Sequence, residues 1–220
     1  MSGINKCMLF DGIAVRGLTQ TLALMGAHQR LYANGDIILH QSEHTDKLGI
    51  IDFGSAEALV YGKGGDAALV SHLNEGDVFA DFLATDDSFS SPVTLIACEN
   101  TRVLYLPVAS ILSPPREAES NGKLMLSNLV RIYARKYFEL KNRIVCIKKP
   151  TLREKILAVL SLYSDGNAEI LLPYNRDALA RYLNADRSAS SRELSAMKSE
   201  GLIDYNKNRF TVISAEILEI

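Results

Sequence analysis

With 220 residues, of which 47% are hydrophobic and 23% charged, the chain has the composition of an ordinary globular protein of one large or two small domains. No apolar run approaches the roughly 18 residues of a membrane-spanning helix, and the N-terminus lacks a signal-peptide pattern, so we expect a cytoplasmic protein. The three scattered cysteines, Cys7, Cys98 and Cys146, form no CxxC pair and exclude a disulfide framework.

The charge is unevenly divided along the chain. The formal net charge is only −2, but residues 1–112 carry 6 Lys and Arg against 13 Asp and Glu, a net charge of −7. Residues 113–220 carry 18 against 13, a net charge of +5. This asymmetry predicts two domains with different partners, and a polyanion is the natural partner of the basic one.

Short strands separated by turn residues are predicted between residues 30 and 107, after a short helix over Ile13–Met25. The candidate strands are Ile37–His40, Lys47–Phe53, Glu57–Tyr61, Ala67–Leu73, Val93–Ala97 and Thr101–Leu106. Strands that recur roughly every 8–12 residues, with glycine at the turns, are typical of a sandwich or barrel. A jelly roll is one such fold.

A long helix is predicted between Pro114-Pro115 and Pro150. Its apolar residues recur at alternating spacings of four and three, which are the a and d positions of about three heptads. These residues are Leu126, Val130, Tyr133, Tyr137, Leu140, Ile144 and Ile147. Such a seam can pack on its own domain or on a copy of the same helix, and we favour a homodimer because a 3.5-residue period suits a partner helix.

The remaining residues predict a winged helix-turn-helix. Thr151 and Glu154 have the spacing of a capping box, Asn175 can cap a short helix over Arg176–Leu183, and Asp186 can cap the next helix. The final segment, "LIDYNKNRFTVI", alternates as a hairpin does. Two short helices, a tight turn and a hairpin together form this DNA-binding unit.

The helix in "DRSASSRELSAMKSEGLI" (186–203) has two different faces. At 100° per residue, Ser190, Leu194 and Met197 cluster on one side and can face the domain core. The opposite side carries Ser188, Arg192, Ser195 and Ser199, with Ser191 at its edge and Arg187 at the helix start. Arginine can read guanine with two hydrogen bonds in the major groove, and serine can contact phosphates or base edges. The alternative is an exposed amphipathic helix whose arginines only keep it soluble.

The chain as a whole resembles the Crp/Fnr superfamily of bacterial transcription regulators. The stretch "NRDALARYLNADRSASSRELSAMKSEGLI" (175–203) resembles the helix-turn-helix signature of that family. Two further stretches, "YANGDIILHQSEHTDKLGIIDFGSAEALV" (32–60) and "LNEGDVFADF" (73–82), are similar to its first β hairpins and its glycine turn.

The resemblance implies an α+β homodimer built from three parts. The first part, residues 1–113, is a sensor domain that folds as a double-stranded β-helix (jelly roll) like that of cyclic-nucleotide-binding proteins. The second, residues 114–149, is a dimerisation helix, and the third, residues 150–220, is a winged helix-turn-helix. It also implies that Arg187 and Arg192 read bases, that Ser191 assists them and that Arg176 contacts phosphate. Ser188 stands where many members have a glutamate that contacts cytosine, so we expect an operator unlike the standard half-site.

The identity of the effector does not follow from the resemblance. Cyclic-nucleotide binders of the family use Gly-Glu and then an arginine for the cyclic phosphate, but the corresponding positions here are Ala80-Asp81 and Ser91. Without that arginine the anion loses its charge-assisted hydrogen bonds, so we do not expect cyclic AMP. We expect an unidentified small effector in a pocket that includes Phe79, Asp81, Ser90 and Ser91.

Other cofactors and catalysis are not expected. An iron–sulfur cluster of the Fnr type needs four grouped cysteines, and we interpret His28, His40, His44 and His72 as isolated residues rather than haem or metal ligands. No nucleophile–base constellation indicates an enzyme.

The sequence therefore predicts a dimeric regulator that binds double-stranded DNA and has no membrane partner. If it is an activator rather than a repressor, which the sequence leaves open, we also expect it to contact RNA polymerase. The alternatives are a ligand-binding module whose C-terminal domain contacts a protein, and a cupin-type enzyme.

Overall fold

The computed structural model describes residues 3–62, 67–80, 83, 86, 88–164 and 169–213. The chain divides into two compact units, Met1–Tyr133 and Ala134–Ile220, so the boundary lies within the long helix. Of the helices in these described ranges, none combines the length and the apolar character needed to cross a membrane.

The first unit contains two antiparallel sheets of four strands each, counted over the described residues. The strands are β1 (His28–Tyr32), β2 (Ile37–Leu39), β3 (Lys47–Phe53), β4 (Ala56–Tyr61), β5 (Ala67–Leu73), β6 (Val78–Phe79), β7 (Thr94–Ala97) and β8 (Thr101–Pro107). One sheet has the order β1-β8-β3-β6 and the other β2-β7-β4-β5. Ile38, Ile51, Leu95 and Val103 belong to a buried cluster formed by residues of both sheets. The predicted β-sandwich is confirmed.

Two strands of this unit were not predicted. Four of the five residues of β1 are exposed and only Tyr32 is buried, so the strand lacks the alternation that marks a half-buried strand. The strand β6 has only two residues. The six predicted strands all form, with ends that differ by no more than one residue.

Helical segments pack against the first sheet. They are α1 (Val15–Leu24), α2 (Val108–Leu112) and the first part of α3 (Glu119–Ile147), together with short 3-10 turns at Ile4–Lys6, Met8–Phe10 and Arg116–Ala118. Met125, Leu129 and Ile132 of α3 join Leu48 and Leu106 of the sheet in one buried cluster. This part of α3 is therefore integral to the first unit.

The second unit contains the end of α3 and the predicted winged helix-turn-helix. Its elements are α4 (Leu152–Tyr163), β9 (Glu169–Leu171), α5 (Arg176–Tyr182), α6 (Arg187–Ser199), β10 (Ile203–Asn206) and β11 (Arg209–Val212). The sheet order is β10-β11-β9. Leu160, Leu179, Leu194, Met197 and Phe210 are among its buried residues.

The predicted helix caps are all present in this unit. The backbone N–H of Glu154 donates to Thr151 Oγ1 over 3.2 Å, and the N–H of Thr151 donates back to the Glu154 carboxylate. Asn175 accepts from the N–H of Ala178, and Asp186 accepts from the N–H of Ala189 over 2.9 Å. These bonds fix where α4, α5 and α6 begin.

Candidate nucleic-acid interface and ligand sites

Helix α6 separates its apolar and polar residues onto two faces. Ser190, Leu194 and Met197 are buried in the domain core. The predicted DNA-contacting side chains are exposed along the other side and at the helix start: Arg187, Ser188, Ser191, Arg192 and Ser195. The facing of the helix is thus as expected, and the base-reading roles of these residues stay predictions.

The cations on this face differ in how they are held. Arg187 Nε lies 2.7 Å from the Asp177 carboxylate of α5, and Lys198 pairs with Asp204 of β10. Arg192 forms no ion pair with any residue in the described part of the chain. Because Arg192 is exposed, its guanidinium is available to an incoming anion without the breaking of an ion pair.

Two serines of α6 behave differently. The Ser195 hydroxyl donates to the Ser191 carbonyl over 3.0 Å and lies 3.4 Å from the Tyr205 hydroxyl, so it has partners but stays exposed. The Ser190 hydroxyl is buried and has no hydrogen-bond partner among the described residues. A buried hydroxyl without a partner destabilises the fold.

The strands β10 and β11 form the wing. Arg176 lies between the helix-turn-helix and this wing. Its guanidinium carbon is 4.1 Å from the centre of the Tyr205 ring and 5.3 Å from that of Phe210. Burial lowers the pKa of this guanidinium. The side chain therefore attaches α5 to the wing through cation–π contacts, and its predicted contact with phosphate stays a prediction.

Arg153 of α4 holds α6 in place, a role that the sequence analysis missed. Its Nη1 and Nη2 donate to the two carboxylate oxygens of Glu200 over 2.6 and 2.8 Å, and its Nε donates to Glu193 over 2.6 Å. These bonds lower the pKa of the Glu200 carboxyl. The sequence did offer one indication of this contact: Glu193 and Glu200 are seven residues apart, a spacing that places both on one helical face.

Arg143 of α3 contacts the end of α5. Its Nε donates to the Tyr182 carbonyl over 3.1 Å, and its Nη2 donates to the Arg181 carbonyl over 3.2 Å. The last carbonyls of a helix lack the usual N–H donor of the following turn, and Arg143 supplies a donor to two of them. The Arg181 carbonyl also accepts from the backbone N–H of Asn184 over 3.1 Å. The C-terminal part of α3 is thereby fixed to the first helix of the helix-turn-helix, within the second unit.

The predicted dimer seam on α3 is largely uncovered in the single chain. The exposed fractions are 59% for Val130, 64% for Tyr137, 58% for Leu140 and 41% for Ile144. Leu126, Tyr133 and Ile147 are half-buried. Phe138 and Val145, which were not predicted, are further exposed apolar side chains beside the seam. Leu126 and Tyr133 of the seam pack against the buried cluster of the first unit, whereas the four exposed seam residues belong to neither of these buried clusters.

The first unit contains a cavity of about 200 Å³ between β1, β8 and the segment before β3. Its lining among the described residues is His28, Arg30, Tyr32, Ile38, Leu39, Glu43, Thr45, Lys47, Phe79, Ala80 and Tyr105. The hydroxyls of Tyr32 and Tyr105 lie 2.6 Å apart, and burial with this bond raises the pKa of Tyr105. Phe79 packs against Gly49, where a Cβ atom would lie 2.1 Å from the ring.

The four predicted effector-pocket residues are not all at this cavity. Phe79 lines it, whereas Ser90 and Ser91 are not among the described lining residues, and Asp81 lies outside the described residues. Ser91 is buried, and its hydroxyl donates to the Val93 carbonyl over 2.7 Å. Ala80 adopts a left-handed φ of 55°, a conformation that glycine adopts more readily.

All three cysteines are free thiols. Burial raises the pKa of Cys7 to about 12 and also raises that of Cys146. The Cys98 thiol is partly exposed, and its pKa is raised by burial and by the charges of Glu57 and Glu99. The thiols are therefore mainly protonated at neutral pH.

Comparison with known proteins identifies two domain families in the chain. The family "Cyclic nucleotide-binding domain" matches residues 29–113, and "Crp-like helix-turn-helix domain" matches residues 154–219. A cyclic AMP receptor protein of Thermus thermophilus is 26% identical over 212 residues, which cover 96% of this chain and 94% of that protein.

Solved structures share the fold. The crystal structure of the Thermus thermophilus catabolite activator protein matches with a TM-score of 0.53 and 23% identity, covering 96% of each chain. The c-di-GMP responsive global regulator CLP of Xanthomonas campestris matches with a TM-score of 0.59 and 12% identity, covering 92% of this chain and 100% of that one.

Proposed function

Because the chain belongs to the Crp/Fnr superfamily of DNA-binding transcription regulators, we propose that it acts as a homodimer whose α6 helices read a specific DNA sequence. A small effector of the N-terminal domain would control this binding. The relatives that identify the family are regulators rather than enzymes. We further propose that the protein works in the cytoplasm, with residues 1–113, 114–149 and 150–220 as sensor, dimerisation helix and DNA-binding domain.

The observation that carries the proposal is the exposed face of α6. Arg187, Arg192 and Ser188 lie in its N-terminal half, which is the part of a recognition helix that contacts base edges. The ion pair with Asp177 orients Arg187, and the unpaired Arg192 can donate two hydrogen bonds to a guanine. Ser191 and Ser195 leave room for close approach of the helix to the groove.

Dimerisation is supported by the apolar stripe on α3. Leu140 and Tyr137 are more than half exposed in the single chain, and a continuous apolar stripe of this kind indicates a protein–protein contact. The heptad spacing favours a parallel copy of the same helix. Two recognition helices placed this way would contact half-sites about 34 Å apart, one turn of DNA.

The cavity that includes Phe79 is the candidate effector site. Arg30 and Lys47 provide positive charge, and Glu43 and Thr45 provide acceptors, so a small polar or anionic molecule fits its chemistry. A relative is named a cyclic AMP receptor protein, but Ser91 supplies no cation for a cyclic phosphate and its hydroxyl is bound to Val93. We therefore propose an effector other than cyclic AMP.

Signal transfer would run through α3. A ligand that favours one packing of the two α3 helices shifts the population toward that state. Since Arg143 attaches α3 to the end of α5, such a shift would move the helix-turn-helix as well. An activator would in addition contact RNA polymerase.

The proposal is tested by selection from a randomised DNA duplex library with the purified full-length chain. The expected result is a palindromic motif that is relaxed in Arg187→Ala and Arg192→Ala but unchanged in Arg16→Ala, which removes an equal charge at an exposed side chain of α1. Selections with and without cell extract distinguish a missing effector from a C-terminal domain that contacts protein. Failure to enrich a motif in both would contradict sequence-specific DNA binding.

A further inference from the structure

Three potential metal ligands meet on one face of the sheet β2-β7-β4-β5. Glu57 of β4 lies directly opposite His72 of β5 and opposite Ile96 of β7. Cys98 follows two residues after Ile96, and its backbone N–H donates to the Ser55 carbonyl over 2.9 Å. Because side chains alternate along a strand, residues two apart lie on the same face. Glu57, His72 and Cys98 therefore lie on a common surface although they are distant in sequence.

The ligand atoms are already close to one another. His72 Nε2 lies 3.0 Å from Glu57 Oε1, and Cys98 Sγ completes a set in which all three atoms lie within 4.8 Å of one another. In a tetrahedral site with zinc–ligand bonds of about 2.0–2.3 Å, ligand atoms lie roughly 3.3–3.8 Å apart. Small side-chain rotations therefore suffice to place all three around one ion.

We propose that Glu57, His72 and Cys98 form a binding site for a divalent metal ion of the zinc class, with water as the fourth ligand. The donor set determines this class, because thiolate and imidazole favour zinc and similar ions, whereas magnesium and calcium prefer oxygen ligands only. His72 is about half exposed, so the ion can enter from solvent.

The surroundings of the site favour a cation. Glu99 contributes negative charge next to Cys98 in addition to that of Glu57. The Glu99 carboxylate accepts a hydrogen bond from the Ser55 hydroxyl over 2.8 Å, which keeps it at the edge of the site. No lysine or arginine forms an ion pair with Glu57 or Glu99 among the described residues. An ion with two positive charges would be stabilised by this field.

The three thiols of the chain make the site directly testable. Cys98 is partly exposed, whereas Cys7 and Cys146 are buried. Alkylation of the native protein therefore reports mainly on Cys98, and peptide mass mapping identifies the modified residue. The readout does not require DNA binding, so its result is independent of the proposed function.

The experiment measures alkylation of the reduced full-length chain with iodoacetamide, with and without zinc. Zinc should slow modification of Cys98 by roughly tenfold or more, because the metal occupies the nucleophilic sulfur. Protection should persist in His40→Gln, an exposed control histidine, and be lost in His72→Gln and Glu57→Gln. Cobalt(II) should give a thiolate charge-transfer absorption that is absent in Cys98→Ser.

Two results would overturn the proposal. One is an alkylation rate of Cys98 that does not change with excess zinc. The other is equal protection in the native chain and in His72→Gln, which would mean that zinc binds the sulfur without the histidine.

Discussion

The two units of the molecule treat polar side chains in different ways. In the first unit, the buried Asp52 carboxylate accepts from Arg102 Nε over 2.6 Å and from Gln29 over 3.3 Å, inside the sheet. In the second unit the ion pairs Arg153–Glu193 and Arg187–Asp177 are partly or largely exposed, and the buried Ser190 hydroxyl has no hydrogen-bond partner in the described part of the chain. The charge of Asp52 is thus neutralised inside the first unit, whereas the charged side chains of these pairs around α6 stay accessible to solvent.

The largest effect is expected from a charge placed on the exposed apolar stripe of α3. Leu140→Glu should separate the proposed homodimer, because two carboxylates would meet in the seam. Affinity for the selected DNA should fall by roughly a hundredfold or more, since only one half-site is then bound at a time. Sedimentation and DNA titration measure the two losses.

Arg135→Glu is the control for that substitution. It introduces the same side chain on another side of α3, where Arg135 pairs with Glu139 over 3.1 Å. A Leu140→Glu protein that sediments and binds like the control would show that α3 does not form the dimer interface.

Loss of Arg102 should destabilise the first unit. Arg102→Met leaves the buried Asp52 charge without its main partner, and we expect a loss of about 3 kcal/mol in the free energy of unfolding. Urea denaturation followed by circular dichroism measures it. Arg16→Met, which changes an exposed arginine, should stay within about 0.5 kcal/mol; equal losses in both would refute a special role for the buried pair.

Removal of the buried hydroxyl should stabilise the second unit. Ser190→Ala deletes a group that has no described hydrogen-bond partner, and we expect a gain of about 1 kcal/mol. The matched control is Ser191→Ala, one residue along on the exposed face. A loss of stability in Ser190→Ala would mean that the hydroxyl contributes a favourable contact.

The smallest effect is expected for Arg153→Ala, whose loss of thermal stability should depend on pH. Arg153 lowers the pKa of Glu200, so its contribution is fully present above the ordinary glutamate pKa of about 4.3 and is lost as the pH falls through the lowered value. The difference in Tm between the native chain and Arg153→Ala should therefore be largest at neutral pH and shrink in acid. A constant difference would assign the effect to packing; Arg153→Lys, which keeps the charge without the bidentate geometry, is the comparison.

The sequence predicts well those features that depend on residues close together along the chain. The caps at Thr151, Asn175 and Asp186 and the facing of α6 depend on residues within one turn, and all of them form as expected. Contacts between distant residues were not predictable in the same way. Arg153 meets Glu200 from 47 positions away, and strand pairing brings His72 to Glu57.

The β1 strand shows a second reason why a structural element was not predicted from the sequence. An exposed strand carries no alternating apolar pattern, because pairing with β8 rather than burial defines it. The sequence predicted Phe79 of the cavity beside it but not Arg30 and Lys47, which line the same cavity only because β1 and β3 join one sheet.

The central claim, that α6 reads DNA, is tested most directly by the affinity of three proteins for a selected duplex and for a scrambled one. The proteins are the native chain, Arg192→Ala and Arg16→Ala, measured by fluorescence anisotropy at one salt concentration. A lost guanine contact costs about 1–3 kcal/mol per half-site, so Arg192→Ala should lose affinity for the selected duplex and much of its preference over the scrambled one. Arg16→Ala should match the native chain. An unchanged preference in Arg192→Ala would contradict base reading by this residue.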